Sequence, residues 1–191
     1  MKRTKITIMC ECAVMLSLSI ALSFIPIYEA PMGGSVTLLS MLPVLMVGVR
    51  HGLKWGVGTS FLFAMFQLFQ ALIKGTVFPY CIGIFMILIC AAFDYILPFT
   101  ALGLTGLAHK KDGSLGRIRT LVIMAVLIVF RFCCHFVTGV AIWDQWAPEG
   151  MGKYLYSLIY NGTYMLPELV LTVAAAAVLT SIPQFKRLIQ R

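Results

Sequence analysis

Asp94, His135 and Asn161 are polar side chains set in apolar surroundings, at Phe93-Asp94-Tyr95, Cys134-His135-Phe136 and Tyr160-Asn161-Gly162. A carboxylate within an apolar span is costly, and it is kept where it pairs or binds something. In low-dielectric surroundings it favours a cationic ligand. Asparagine and histidine supply directional hydrogen bonds to a heterocycle. Aromatic faces take flat rings, and hold them more strongly when the ring is cationic. Tyr156, Tyr160 and Tyr164 surround Asn161, and Trp143 and Trp146 follow the His135 run. The set suits a flat, cationic, nitrogen-rich small molecule. Plainer readings stand beside this one: tyrosine and tryptophan belts mark membrane interfaces without any ligand, and a single histidine can be a satisfied core residue. Arg131 and Glu168 also lie in apolar runs. They read as a structural ion pair between two spans, with a proton relay as the functional alternative.

Other chemistries leave no mark. No glycine-rich loop ends in Lys-Ser or Lys-Thr, so the chain should not hydrolyse ATP itself. No Ser-His-Asp or HExxH arrangement stands out, and no enzymatic activity is expected. Cys10 and Cys12, Cys81 and Cys90, and Cys133 and Cys134 lack metal-site spacing with histidine. They read as small apolar residues, and neither a metal nor a cofactor is expected. Asn161-Gly162-Thr163 fits the glycosylation pattern, but its place at a helix start favours a pocket role.

The elements that hold these residues follow from composition. The chain has 191 residues, 60% of them hydrophobic and only 12% charged, with a mean hydropathy of +0.94. A soluble globule of this size keeps too much surface exposed to hide so many apolar side chains. Disorder is excluded by the same hydrophobicity. An all-α integral membrane protein remains, a single domain over residues 1–191 with six spans. The candidates are Ile6 to Ile25; Val36 to Val49, short and kinked or tilted by Pro43; Trp55 to Ile73; a fourth ending at Ala108; a fifth from Thr120 to Ile142; and a sixth ending near Ile182. Counting about 20 residues back from His109 starts the fourth span near Cys90. That register moves Asp94 away from the bilayer centre and leaves 76–89 as an apolar outer segment; one long tilted helix is the other choice.

The formal charge of +8 comes from 15 Lys and Arg against 7 Asp and Glu. The basic residues gather at the ends of apolar runs: Lys2, Arg3 and Lys5; Arg50 and Lys54; Lys110, Lys111, Arg117 and Arg119; Lys186, Arg187 and Arg191. In a six-span arrangement all fall on one side, which puts both termini in the cytoplasm of a bacterial cell membrane. This is a topology signal, and no nucleic-acid partner is expected. Measured from outer ends at Cys90 and Gly139, Asp94 and His135 each lie roughly 6 Å deep, and Asn161 sits at the boundary of the sixth span. By the same count Arg131 and Glu168 lie at matching depths of roughly 12 and 9 Å. Ala13, Ser17 and Ala21 repeat at four-residue spacing along the first span. Such a stripe lets another helix approach closely, either within the bundle or from another membrane subunit.

Gly33-Gly34-Ser35-Val36, Phe93-Asp94-Tyr95-Ile96, Arg131-Phe132 with His135-Phe136 and Gly139, and Tyr156-Ser157 leading to Tyr160-Asn161-Gly162-Thr163-Tyr164-Met165 together resemble the thiamine-specific S components, the ThiT family, of energy-coupling factor transporters. The resemblance runs from the first span to the sixth. It implies a six-helix protein that captures thiamine from outside with high affinity. It also implies that transport needs a transmembrane T subunit and two ATPase subunits. Carried over residue by residue, it places Asp94 and Tyr95 against the ligand and His135 beside it, with Gly139 offering backbone. Trp143 becomes a stacking platform, and Tyr156 and Asn161 complete the site. Ala13 and Ser17, with Ser where Ala is usual, match the motif that docks the T subunit. The first outer loop, from Met32 through Gly33, Gly34 and Ser35, is expected to close over the ligand, the two glycines supplying backbone freedom. Some members carry a tryptophan lid in this loop; here Tyr28-Glu29-Ala30-Pro31-Met32 has none, so Met32 or Tyr28 takes that place. The segment 76–89 also exceeds the family pattern. Another vitamin, a thiamine precursor, or a stand-alone proton-coupled carrier are the alternatives.

Overall fold

The computed structural model describes residues 4–31, 33–75, 77–109 and 116–185. Helix α1 (Lys5–Ser23) leads into a hairpin of β1 (Pro26–Glu29) and β2 (Ser35–Thr37), followed by α2 (Met41–His51) and α3 (Leu53–Lys74). Next come α4 (Ile84–Ala108), α5 (Arg117–Ala141) and α6 (Lys153–Leu179). Short 3₁₀ turns at Phe78–Tyr80 and Trp143–Trp146 precede α4 and follow α5.

Five of these helices, α1 and α3 to α6, are long and apolar enough to cross a membrane. Their exposed faces carry Ile6, Phe69, Phe85, Val126 and Leu166, as expected where the surrounding solvent is lipid. The expected second span resolves differently. Val36 belongs to β2, and the helix starts only at Met41. At 11 residues α2 rises only about 16 Å, but together with β2 it returns the chain from the hairpin to the starting end of α1, where Arg50 Nε meets Glu11 Oε2 at 2.7 Å. Met41 to Val49 are all buried, so α2 is a core helix wrapped by its neighbours, apolar all round for that reason. Pro43 introduces no kink, because it sits in the first turn, where no backbone N–H is called on to donate.

The core gathers around α2: Met41, Leu45 and Val49 pack with Phe63 of α3, Leu102 of α4, Met124 and Ile128 of α5 and Met165 of α6. The inner half of α4 comes very close to α3. A Cβ added at Gly103 would lie 2.4 Å from the backbone of Gly56, so only glycine permits this crossing.

Helix α4 begins at Ile84, six residues before the expected Cys90. Apolar Ile84, Phe85 and Leu88 are strongly exposed and extend the lipid-facing surface. The observed helix lies between the two choices, longer than a span from Cys90 but without the 77–83 segment, and Asp94 stands near mid-helix rather than towards its outer end. The helix is not uniform: Ala91–Ile96 forms a π-helical stretch and Leu102–Ala108 a 3₁₀ stretch. Similarly α6 begins at Lys153, so Asn161 lies two turns inside it and not at a boundary.

The small sheet pairs Pro26 with Thr37, Tyr28 with Val36 and Glu29 with Ser35 in antiparallel register. Its turn closes through Ala30 N–H to the Gly34 carbonyl, 2.6 Å, and Gly33 N–H to the Ala30 carbonyl, 3.1 Å. Gly33 has φ +90°, a left-handed backbone that a side chain disfavours. Lys74 at the end of α3 ties the hairpin down through Glu29, Nζ to Oε1 3.0 Å.

Candidate functional site

Beneath this hairpin lies a cavity of about 530 Å³, of a size suited to a small organic molecule. The hairpin forms its roof with Glu29, Gly33, Gly34 and Ser35. Asp94 and Tyr95 of α4, His135 of α5, Trp143 of the turn after α5 and Asn161 of α6 all line it. Five of the seven expected ligand-binding residues thus share one chamber. Gly139 and Tyr156 are not among its lining residues. Three of the four expected loop residues also face it; Met32 lies outside the described residues.

Asp94 organises one side of the chamber. It is 7% exposed, and both carboxylate oxygens accept hydrogen bonds. Oδ1 takes them from Thr138 Oγ1 at 2.5 Å and from His135 Nδ1 at 3.0 Å. Oδ2 takes one from Cys90 Sγ at 3.2 Å. The other ring nitrogen of His135, Nε2, accepts from Arg131 Nε at 3.3 Å. An acceptor at Nε2 leaves the proton on Nδ1, where it points at Asp94. The chain Arg131–His135–Asp94 therefore fixes one tautomer and one ring orientation.

Asn161 is equally engaged. Its Nδ2 donates to the His135 carbonyl at 3.2 Å, the Ser157 carbonyl at 2.9 Å and Ser157 Oγ at 3.1 Å. Its Oδ1 accepts from the Tyr164 hydroxyl. These bonds need α5 and α6 in near contact, and Gly139 provides it: a Cβ there would fall 2.1 Å from Ser157 Oγ. Gly139 acts on the chamber from behind, through packing. Tyr156 also stands behind the wall, stacked on Tyr160 with ring centroids 5.8 Å apart and packed in the cluster that holds Trp143. Tyr160 and Tyr164 line the cavity themselves, and Tyr95 stacks on Phe78 at 5.9 Å.

The expected Arg131–Glu168 ion pair is not what the two residues form. Both oxygens of Glu168 turn to Thr37, accepting its backbone N–H at 2.8 Å and its hydroxyl at 3.0 Å. Arg131 donates to His135 and to Met41 Sδ at 2.9 Å, and its guanidinium lies 4.2 Å from the centre of the Phe99 ring. Matching depth along two helices does not make two side chains face one another. Glu168 instead anchors β2, and Arg131 braces the histidine.

Several contributors escaped the sequence reading. Cys90, expected only as a small apolar residue, donates to Asp94. Gln67 and Gln70 of α3 line the opposite side of the cavity; two amides three residues apart in an apolar run were the available signal. On α1, Ala13, Ser17 and Ala21 are all exposed, so the stripe faces outward rather than into the bundle.

Residues 9–187 match the family described as thiamine transporter protein (Thia_YuaJ). The thiamine transporter ThiT of Bacillus subtilis (strain 168) is 27% identical over 172 residues, 84% of this chain and 83% of that protein. ThiT of Lacticaseibacillus paracasei is 25% identical over 186 residues, 93% of this chain and 89% of that one. A solved structure of ThiT from Listeria monocytogenes has a TM-score of 0.67 over 96% of this chain and 98% of its own, at 21% identity; the fold is shared.

Proposed function

The chain belongs to the thiamine transporter protein family (Thia_YuaJ), a multi-pass membrane family of transporters and not of enzymes, and we propose that the cavity under the β1–β2 hairpin is its thiamine site, in an S component of an energy-coupling factor importer. The observation that carries this reading is the convergence of Asp94, Tyr95, His135, Trp143 and Asn161 on one 530 Å³ chamber. Thiamine is a thiazolium cation joined to an aminopyrimidine. The charged side chains that line the chamber are Asp94, Arg131, Glu29 and Lys74. Glu29 and Lys74 cancel at the mouth, 3.0 Å apart. Asp94 is then the carboxylate left to face a cation, in surroundings where charges interact strongly. Trp143, Tyr95 and Tyr160 supply ring faces for the two heterocycles.

The Arg131–His135–Asp94 chain holds the carboxylate in place before the ligand arrives, so little ordering remains to oppose binding. The hairpin over the chamber serves as the lid, with Gly33, Gly34 and Ser35 on its inner side. Its opening breaks the Glu29–Lys74 contact, an exposed pair that holds weakly. Entry is from outside, with both termini in the cytoplasm. The exposed Ala13–Ser17–Ala21 stripe of α1 receives the transmembrane T subunit, which brings the two ATPases. Release of thiamine inward then depends on those partners.

Tryptophan fluorescence of the purified chain tests the site. Thiamine should quench it, because Trp143 lies in the cavity wall. No quenching together with no heat of binding by calorimetry would overturn the reading. Tighter binding of the isolated pyrimidine half than of thiamine would reassign the ligand to a precursor. Uptake into proteoliposomes should require the ATPase module; uptake by this chain alone, abolished by a proton uncoupler, would make it a stand-alone carrier.

A further inference from the structure

Gln67 and Gln70 have no part in the reading above. They lie three residues apart on α3, hence on one face, and Ala71 and Lys74 continue that face along the cavity wall. Oε1 of Gln67 and Nε2 of Gln70 are buried and have no hydrogen-bond partner among the described residues. The other side-chain atoms so placed are hydroxyls, of Ser19, Ser60, Thr100 and Thr172. A buried polar atom left unsatisfied costs about 1–3 kcal/mol, and an apolar residue at either position would avoid that cost.

The two atoms are opposite in kind: a carbonyl oxygen that accepts and an amide nitrogen that donates. Across the chamber the polar atoms are engaged within the protein, both oxygens of Asp94, both ring nitrogens of His135 and the amide of Asn161. Of the buried side-chain polar atoms without a partner among the described residues, the two that belong to lining residues are both on α3. We propose that Gln67 and Gln70 are specificity-determining residues which recognise an uncharged ligand group able to donate and accept at once, donating to Gln67 Oε1 and accepting from Gln70 Nε2. This rests on the thiamine reading of the cavity and deepens it. Thiamine has two such groups: the hydroxyl of its hydroxyethyl arm, and the exocyclic amine beside a ring nitrogen of its pyrimidine. A site built to hydrogen-bond a group discriminates strongly against analogues lacking it, because its own atoms are then left unpaired.

The test uses the whole chain in detergent and two near-isosteric variants, Gln67→Met and Gln70→Met, which keep the volume of the wall. Calorimetry compares thiamine with two analogues, one carrying ethyl in place of hydroxyethyl and one lacking the pyrimidine amine. Each variant should bind thiamine roughly tenfold more weakly or worse. The analogue lacking the recognised group should bind wild type and variants alike, while the other analogue stays sensitive to the substitutions; that contrast identifies the group. Free of ligand, both variants should melt no lower than wild type, since each removes an unsatisfied amide. Wild-type affinity for thiamine in both variants would overturn the proposal. So would an equal loss for all three ligands, or a lowered melting temperature with no selectivity among them. If the unsubstituted chain failed to bind thiamine, the reading of the cavity would fall instead, and the two failures are told apart by that first titration.

Discussion

The chamber has two unlike sides. On the α4–α5–α6 side, Asp94 accepts from Thr138, His135 and Cys90, and Asn161 is tied to Ser157, His135 and Tyr164. On the α3 side, Gln67 and Gln70 leave buried polar atoms without partners among the described residues. The first arrangement is rigid and sets a field; its groups need not swing to act, which is how fixed dipoles and charges are most effective in a dry site. The second leaves hydrogen bonds for something else to complete. On the proposed reading the two sides divide recognition between them, one attracting a charge and the other completing hydrogen bonds.

Removing the charge should break the comparison most severely. Asp94→Asn should weaken thiamine by roughly 100-fold, about 2.7 kcal/mol, and a neutral thiamine analogue much less. Calorimetry with both ligands measures the difference, and equal losses would mean that Asp94 does not act through its charge. Trp143→Ala should weaken thiamine roughly tenfold through the lost cation–π contact and abolish most of the fluorescence response. Gly34→Ala probes the roof. Its Cβ would sit 2.3 Å from the Tyr164 ring, so the ring or the hairpin must shift. A stability loss of about 1–3 kcal/mol should accompany weaker binding, read by thermal unfolding with and without thiamine. Lys74→Met should matter least: the Glu29 pair is 43% and 55% exposed, and such pairs contribute about 0–1 kcal/mol. Affinity in physiological salt should change by less than about threefold, with a larger effect on the rate of ligand entry at low salt, as stopped-flow quenching would show.

The five long helices were legible because lipid demands unbroken apolar runs, and Val126 or Leu166 announces itself as readily in sequence as on the surface. Val36 to Val49 was legible as a short apolar segment but not as a strand followed by an 11-residue buried helix, because a core helix and a membrane helix share one composition. Asp94, His135, Trp143 and Asn161 stood out as polar or amphipathic residues against that background. Gln67 and Gln70 did not, since an uncharged amide perturbs hydropathy little. Cys90 was missed for a related reason: a thiol reads as apolar until a carboxylate lies 3.2 Å away. The pairing of Arg131 with Glu168 failed because depth is a one-dimensional coordinate, and rotation about the helix axis decides which neighbour a side chain meets.

That rotation is also where the wide turn at Ala91–Ile96 matters. A π-helical stretch accommodates one residue more than an α-helix would in the same length, and so resets the azimuth of everything downstream. Deleting a single alanine from Ala91-Ala92 would not merely shorten α4. It would turn the carboxylate by about a quarter-turn or more relative to Cys90, away from the chamber, leaving the composition almost unchanged and the proposed ligand site without its charge.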